Sequence, residues 1–306
     1  MNIKRLLRAG SRYLVDADYR VMIHAGRGKY DRLTDAAYIR KIFRAKMGYE
    51  IDLDNPQTFN EKLQWLKLHN RRPEYTMMAD KFSVRDYVAK QLGEEYLIPL
   101  LGVWENPDEI DFDALPNQFV LKCNHNSGLG MCICKDKSTL NIEKVKAELR
   151  KGLAQDYYLC GREWPYKNVP RKIIAEKYME EEDGSDLRDY KIHCFHGEPQ
   201  FILVCSDRFA DGGLREDFYD TSWKRMDLRR PQHPNSAQGT PRPEKLEQML
   251  EKARILAKSI PFARIDFYVI NQKIYFGEIT FFPASGFEKF EPEEADRKLG
   301  AMLKLP

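Results

Sequence analysis

Residues 263–286 read ARIDFYVINQKIYFGEITFFPASG, and this stretch organises the chain. Two apolar runs, 265–270 and 273–282, flank Asn271-Gln272, a pair suited to a tight turn, so the stretch reads as a β-hairpin. Each arm carries a single carboxylate, Asp266 and Glu278. An acid inside an apolar strand costs several kcal/mol, roughly, unless a positive group meets it, because the ionised form is poorly solvated there. The compensator is an arginine or a metal ion. Side chains alternate along a strand, so Arg264 shares a face with Asp266, and Thr280 shares one with Glu278. Two carboxylates and a hydroxyl are hard oxygen ligands that suit Mg²⁺. The other reading is an internal Arg264–Asp266 pair with Glu278 facing solvent.

The chain has 306 residues, enough for two or three compact units. Charged residues make up 32% and aromatics 12%, an ordinary globular composition. A formal net charge of +3, with Lys and Arg spread along the chain, gives no nucleic-acid signature. The six cysteines include no pair at zinc-knuckle or redox spacing, and most sit in apolar runs, so they read as structural thiols in a reducing compartment. No run has the length of a signal-peptide core or a membrane span, so a cytoplasmic protein is expected. Near the N-terminus, Leu6, Leu7, Tyr13, Leu14 and Val15 share a helix face beside Lys4, Arg5, Arg8 and Arg12. That helix is either an ordinary amphipathic one or a peripheral contact with the inner face of an anionic membrane.

Residues 31–96 read as helical. A helix is expected over 37–47, another starts at the Thr58 cap with Glu61 three residues on, and a third spans 79–92 with Asp80, Lys81, Arg85 and Asp86 on a charged side that faces solvent or, on the other reading, meets substrate. A strand is expected over 97–104. The next informative stretch is 119–135: a strand carrying Lys122, a polar loop with Ser127, Gly128 and Gly130, and a returning strand at 131–134. Small residues let backbone amides approach an anion, and a lysine on the feeding strand can meet phosphates. Because the loop joins strand to strand, it is neither a Walker A nor a Rossmann fingerprint. Further on, a helix over 141–155, a strand over 172–179 containing Glu176, a strand over 187–195 with Asp189 and Lys191 on one face, a turn at 196–199 and a strand over 200–206 are expected. Arg208 follows that strand.

In this order the motifs resemble the ATP-grasp superfamily and, within it, the TupA-like branch named for teichuronopeptide biosynthesis. The resemblance rests on Lys122 with Ser127-Gly128-Leu129-Gly130, then Glu176-Lys177-Tyr178-Met179, then Arg264-Ile265-Asp266, then Glu278-Ile279-Thr280 and Pro283-Ala284-Ser285-Gly286. Branch-level likeness adds 55–62, 79–81, 119–122 and 189–191, and covers roughly residues 40 to 290. The departure is Thr280, where most members have asparagine.

The resemblance implies an α+β ATP-grasp fold. A helical N-terminal region (1–96) precedes two α+β subdomains (97–186 and 187–306) that clamp ATP. It implies that the backbone of Lys177, Tyr178 and Met179 holds adenine, that Asp189 meets the ribose, and that Lys122, Lys191 and Arg208 neutralise phosphate charge. Asp266, Glu278 and Thr280 would hold Mg²⁺, and Arg264 the oxyanion of the second step. The expected activity is an ATP-dependent carboxylate–amine ligase working through an acyl phosphate. It would amidate a uronic acid or join an amino acid in cell-surface polysaccharide or capsule biosynthesis, with a lipid-linked glycan precursor at the membrane as a further partner. Competing readings are a glycosyltransferase, for which no Asp-x-Asp motif in a Rossmann-like frame is present; a sugar kinase, with Asp207 or His125 as base; and a non-catalytic nucleotide-binding module.

Overall fold

The computed structural model describes residues 12–183, 187–207 and 213–306. Arg208 and most of the basic N-terminal face lie outside the described residues. Of that face, Leu14 and Val15 are described and are exposed.

Helices α1 (Ala17–Gly26), α2 (Asp35–Met47) and α3 (Phe59–His69) open the chain. α2 starts on Thr34, whose hydroxyl accepts from the amide of Ala37, and ends on Gly48 at φ 90°. α3 carries the expected capping box, Thr58 and Glu61 each closing on the other's backbone amide.

The helix expected over 79–92 starts later, as α5 (Val84–Leu92), and a separate helix, α4 (Glu74–Ala79), precedes it. Asp80 separates them, accepting from the amide of Phe82 at 2.9 Å and the hydroxyl of Ser83 at 2.6 Å, a local bonding that competes with the helix. Asp80 is therefore buried, and the solvent-facing role read for Asp80 and Lys81 is corrected.

The first sheet contains β1 (Leu100–Trp104), β2 (Phe119–Cys123), β3 (Met131–Cys134) and β4 (Ile173–Lys177), antiparallel in the order β1-β4-β2-β3. Phe119, Leu121, Ile173 and Ala175 point to a core that includes Val145 and Leu149 of α6 (Ile142–Ala154). Val120 and Lys122 therefore take the opposite face. A short α7 (Tyr158–Gly161) leads into the turn at Trp164–Tyr166.

The second sheet contains β5 (Asp189–Phe195), β6 (Glu198–Ser206), β7 (Arg215–Asp220), β8 (Phe262–Ile270) and β9 (Lys273–Thr280), in the order β7-β6-β5-β8-β9. The turn expected over 196–199 is only two residues, His196 and Gly197 at φ 52° and 83°, and Pro199 belongs to β6. Asn271 and Gln272 make the expected hairpin turn, both at positive φ, as a tight hairpin requires. α8 (Leu246–Leu256) packs across β5 and β6, and α9 (Ala295–Met302) packs on α3.

Ile265, Phe267 and Ile279 are buried in this second core. Each buried side chain of this size is worth about 1.5–3 kcal/mol, and a one-residue slip would expose all three, so the register that turns Arg264 and Asp266 to the other face is fixed.

His193 of β5 is 5% exposed, stacked 4.2 Å from Phe201, with Nδ1 3.1 Å from the carbonyl of Lys191. Burial, then the cations of Arg264, Arg230 and Lys191, hold its pKa well below 6.5. The unfolded chain therefore takes a proton below pH 6.5 that the folded protein refuses, and stability falls as pH falls through that value. The limit from one such group is about 1.4 kcal/mol per pH unit. Unfolding midpoints measured between pH 7 and 5.5 should fall less steeply in His193→Asn than in wild type; equal slopes would remove His193 as the cause. Among the described residues, no helix is long and apolar enough to cross a membrane.

Candidate active site

The register of β8 and β9 pairs Arg264 with Thr280 and Asp266 with Glu278. A bulge after Asp266 places the extra residue at Gly277, where a Cβ would come within 3.1 Å of the Asp266 carbonyl. The period-two reading of this face is thus borne out: all four side chains converge.

Arg264 donates through Nε to Asp266 Oδ1 and through Nη2 to Asp266 Oδ2, both at 2.7 Å. Nη2 also reaches Glu278 Oε1 at 2.9 Å and Thr280 Oγ1 at 3.1 Å. Lys191, opposite Asp266 on the neighbouring strand, lies 2.6 Å from Asp266 Oδ2 and 2.5 Å from Asp189 Oδ2. The Arg264–Asp266 pair therefore exists, but Glu278 lines a cleft rather than open solvent.

The first sheet faces this hairpin across the cleft. Lys122 Nζ is 2.6 Å from Glu176 Oε2, and Arg85 backs Glu176 at 3.4 Å. The loop between β2 and β3 turns on Gly128 and Gly130, at φ 83° and 70°. A Cβ on Gly130 would meet Cys123 Sγ and the Cα of Gly152 at 2.8 Å, whereas Gly128 has open space before it, as a loop approaching an anion needs. The loop's base is fixed by Asn124, which donates to Asp80 at 2.7 Å and accepts from the amide of Lys172 at 2.7 Å.

The cleft measures about 380 Å³. Lys122, Ser127, Gly128, Glu176, Asp189, Lys191, Arg264, Asp266 and Glu278 all line it. Thr280 joins through Arg264, and Gly130 supports the loop from behind. Lys177, Tyr178 and Met179 are not lining residues; the amide of Lys177 is taken by the carbonyl of Pro99 at 2.9 Å. His125 and Asp207, the bases a kinase would need, do not line the cleft. His125 is buried with Nε2 3.1 Å from the carbonyl of Gln155.

One cleft cation was first read as solvent-facing, with substrate contact as the alternative. Lys81 Nζ donates to the carbonyl of Asn126 at 2.6 Å and lines the cleft beside Lys122. The available signal was the Asp80–Ser83 pattern, which ends one helix and starts the next. Burial pushes the Glu278 carboxyl up, but Lys81, Arg264 and Lys191 outweigh it and hold the pKa at about 2. Burial opposes the charge of Lys191, yet Asp266 and Asp189 raise its pKa to about 12. Burial likewise raises Asp266, against the pull of Arg264 and Lys191. The result is a cleft in which Lys81, Lys122, Lys191 and Arg264 face Glu176, Asp189, Asp266 and Glu278, a surface that can take phosphates on one side and a hard cation on the other.

A family model described as TupA-like ATPgrasp matches residues 61–304. No curated protein matches the sequence. Among solved structures, the D-alanine–D-alanine ligase of Bacillus anthracis complexed with ATP is similar at 14% identity and TM-score 0.46, over 94% of this chain and 92% of that one. The D-alanine–D-alanine ligase of Helicobacter pylori is similar at 16% identity and TM-score 0.42, over 81% and 69%. A D-cycloserine synthetase is similar at 13% and 0.42, over 76% and 71%.

Proposed function

The chain belongs to the TupA-like ATP-grasp family, and from that premise we propose that it is an ATP-dependent carboxylate–amine ligase. The observation that carries this reading is the meeting of Lys81, Lys122, Lys191 and Arg264 with Asp266 and Glu278 in one cleft between two antiparallel sheets. Asp189 would meet the ribose, and Lys81, Lys122 and Lys191 the phosphates. Arg208 would add a further cation. The donor set fits Mg²⁺: two carboxylates directly opposed in register and a hydroxyl, all hard oxygens. Asp266, Glu278 and Thr280 would hold the ion, which would supply charge neutralisation between the phosphate oxygens.

A carboxylate oxygen of the acid attacks the γ-phosphorus, the bond to ADP breaks, and an acyl phosphate forms. The amine nitrogen then attacks the carbonyl carbon and phosphate leaves. Lys122 and Lys191 take up phosphate charge in the first step, and the Arg264 guanidinium holds the oxyanion in the second. The acid would be a uronic acid or an amino acid, and the product an amide in a cell-surface polysaccharide or capsule. The acceptor would be a lipid-linked precursor met by a cytoplasmic enzyme at the inner face of the membrane.

The test is hydroxylamine trapping with Mg²⁺, ATP and a panel of uronic and amino acids. ADP and hydroxamate formed together support the ligase; ADP without hydroxamate contradicts it. Lys81→Met removes a charge-assisted contact worth about 1.5–3 kcal/mol, so kcat/KM for ATP should fall about 10- to 100-fold. An unchanged value would remove Lys81 from the phosphate site.

A further inference from the structure

A carboxylate from the helical N-terminal region sits one hydrogen bond behind the glycine loop. Asp80, between α4 and α5, is 2% exposed. Its Oδ1 accepts from the amide of Phe82 at 2.9 Å and from Asn124 Nδ2 at 2.7 Å, and its Oδ2 accepts from the Ser83 hydroxyl at 2.6 Å. All three donors are neutral. Capping the turn before α5 needs only the bonds to Phe82 and Ser83, so the bond to Asn124 is the one that reaches beyond local structure.

Asn124 opens the glycine loop and is fully buried. Its Oδ1 accepts from the amide of Lys172 at 2.7 Å, and its Nδ2 also reaches the carbonyl of Pro170 at 2.8 Å. His125 and Asn126 follow, both buried, bonded to the carbonyls of Gln155 at 3.1 Å and Gly152 at 3.2 Å. The first half of the loop is therefore fixed, and the positive-φ glycines begin just beyond it.

Lys81 runs along that fixed half. Its amide donates to the carbonyl of Asn124 at 3.2 Å, and its ammonium to the carbonyl of Asn126 at 2.6 Å. Lys81, Asn126, Ser127 and Gly128 line the cleft together, while Asp80 stands behind them. Asp80 thus holds both sides of this contact: the backbone from which Lys81 departs and, through Asn124, the loop on which Lys81 rests. Burial lowers the Lys81 pKa, and the carboxylates of Glu278, Asp80 and Glu176 oppose that, so Asp80 also helps to keep the ammonium charged.

We propose that Asp80 is a positioning residue for the phosphates of the nucleotide: through Asn124 and Lys81 it holds the glycine loop and its cation in one arrangement facing the cleft. The helical N-terminal region is on this account an integral part of the phosphate site. The inference rests on the nucleotide site of the ligase reading and not on its acyl-phosphate chemistry. A loop and a cation already held in register lose less freedom when phosphate arrives, so the gain falls on the phosphates and not on the nucleoside.

The test compares ATP with adenosine, which has no phosphate, each competing against a fluorescent ATP analogue on the full chain with Mg²⁺. Asp80→Ala should raise the Kd for ATP about 10-fold and leave that for adenosine unchanged. Asp80→Asn keeps the shape and one acceptor oxygen but not the charge, so it should fold even where Asp80→Ala does not, and raise the Kd for ATP about 3-fold. Ser83→Ala removes the donor to Oδ2 but keeps the bond to Asn124, so it should lower the unfolding midpoint with both Kd values unchanged. Equal rises for ATP and adenosine in the Asp80 variants, or no rise in either, overturn the assignment and leave Asp80 a helix cap. A Ser83→Ala variant that weakens ATP as much as the Asp80 variants overturns it as well. Wild-type protein that binds ATP no more tightly than adenosine overturns the phosphate site itself, a failure distinct from that of Asp80.

Discussion

Replacing Arg264 with Met should cost about 3 kcal/mol of stability and about 10²- to 10³-fold in the rate of acyl-phosphate capture. Among the described residues, Arg264 is the single group that touches Asp266, Glu278 and Thr280 together, with a bidentate fork on Asp266. Removing it leaves Asp266, 2% exposed, with Lys191 alone, and a buried carboxylate that loses its partner costs far more than a surface one. Arg264→Lys restores the charge but not the planar fork, so it should recover stability better than rate. Urea denaturation and hydroxamate kinetics on both variants check this. Wild-type stability in Arg264→Met would show that the pair is not the hinge of the site's electrostatics.

If Asp266 holds the metal as proposed, Asp266→Asn should lower ADP formation about 10³-fold and raise the Mg²⁺ concentration giving half-maximal rate, since a neutral amide cannot replace a carboxylate whose charge contribution is worth about several kcal/mol. Its shape is retained, so Ile265 and Phe267 remain in the core and the fold should persist, readable by circular dichroism. A variant with unaltered Mg²⁺ dependence would place the metal elsewhere in the cleft.

The hairpin was legible because both signals are local. Asn271 and Gln272 accept positive φ, and alternation alone puts Arg264 with Asp266 and Glu278 with Thr280. Lys122 and the glycine loop were readable for the same reason, a strand, a loop of small residues and a strand. Lys81 was readable only as one of two alternatives, solvent or substrate, because its direction depends on a helix break set by Asp80, whose other partner, Asn124, lies 44 residues away. Glu163 and Lys67 were invisible as a pair: Ser285, which bonds both, is more than a hundred residues from either. The segment holding β7 and α8 gave no reading at all, since it carries no chemistry of its own and its strand is defined by pairing with β6.

The most direct test of the central claim follows one oxygen atom. With an acid labelled in its carboxylate with ¹⁸O, plus ATP, Mg²⁺ and an amine, the account predicts that the phosphate released carries one labelled oxygen, because the carboxylate oxygen that attacks the γ-phosphorus leaves with it. Phosphate released without label, in amounts matching ADP, would mean that water rather than the acid takes the phosphoryl group, and would contradict the acyl-phosphate mechanism.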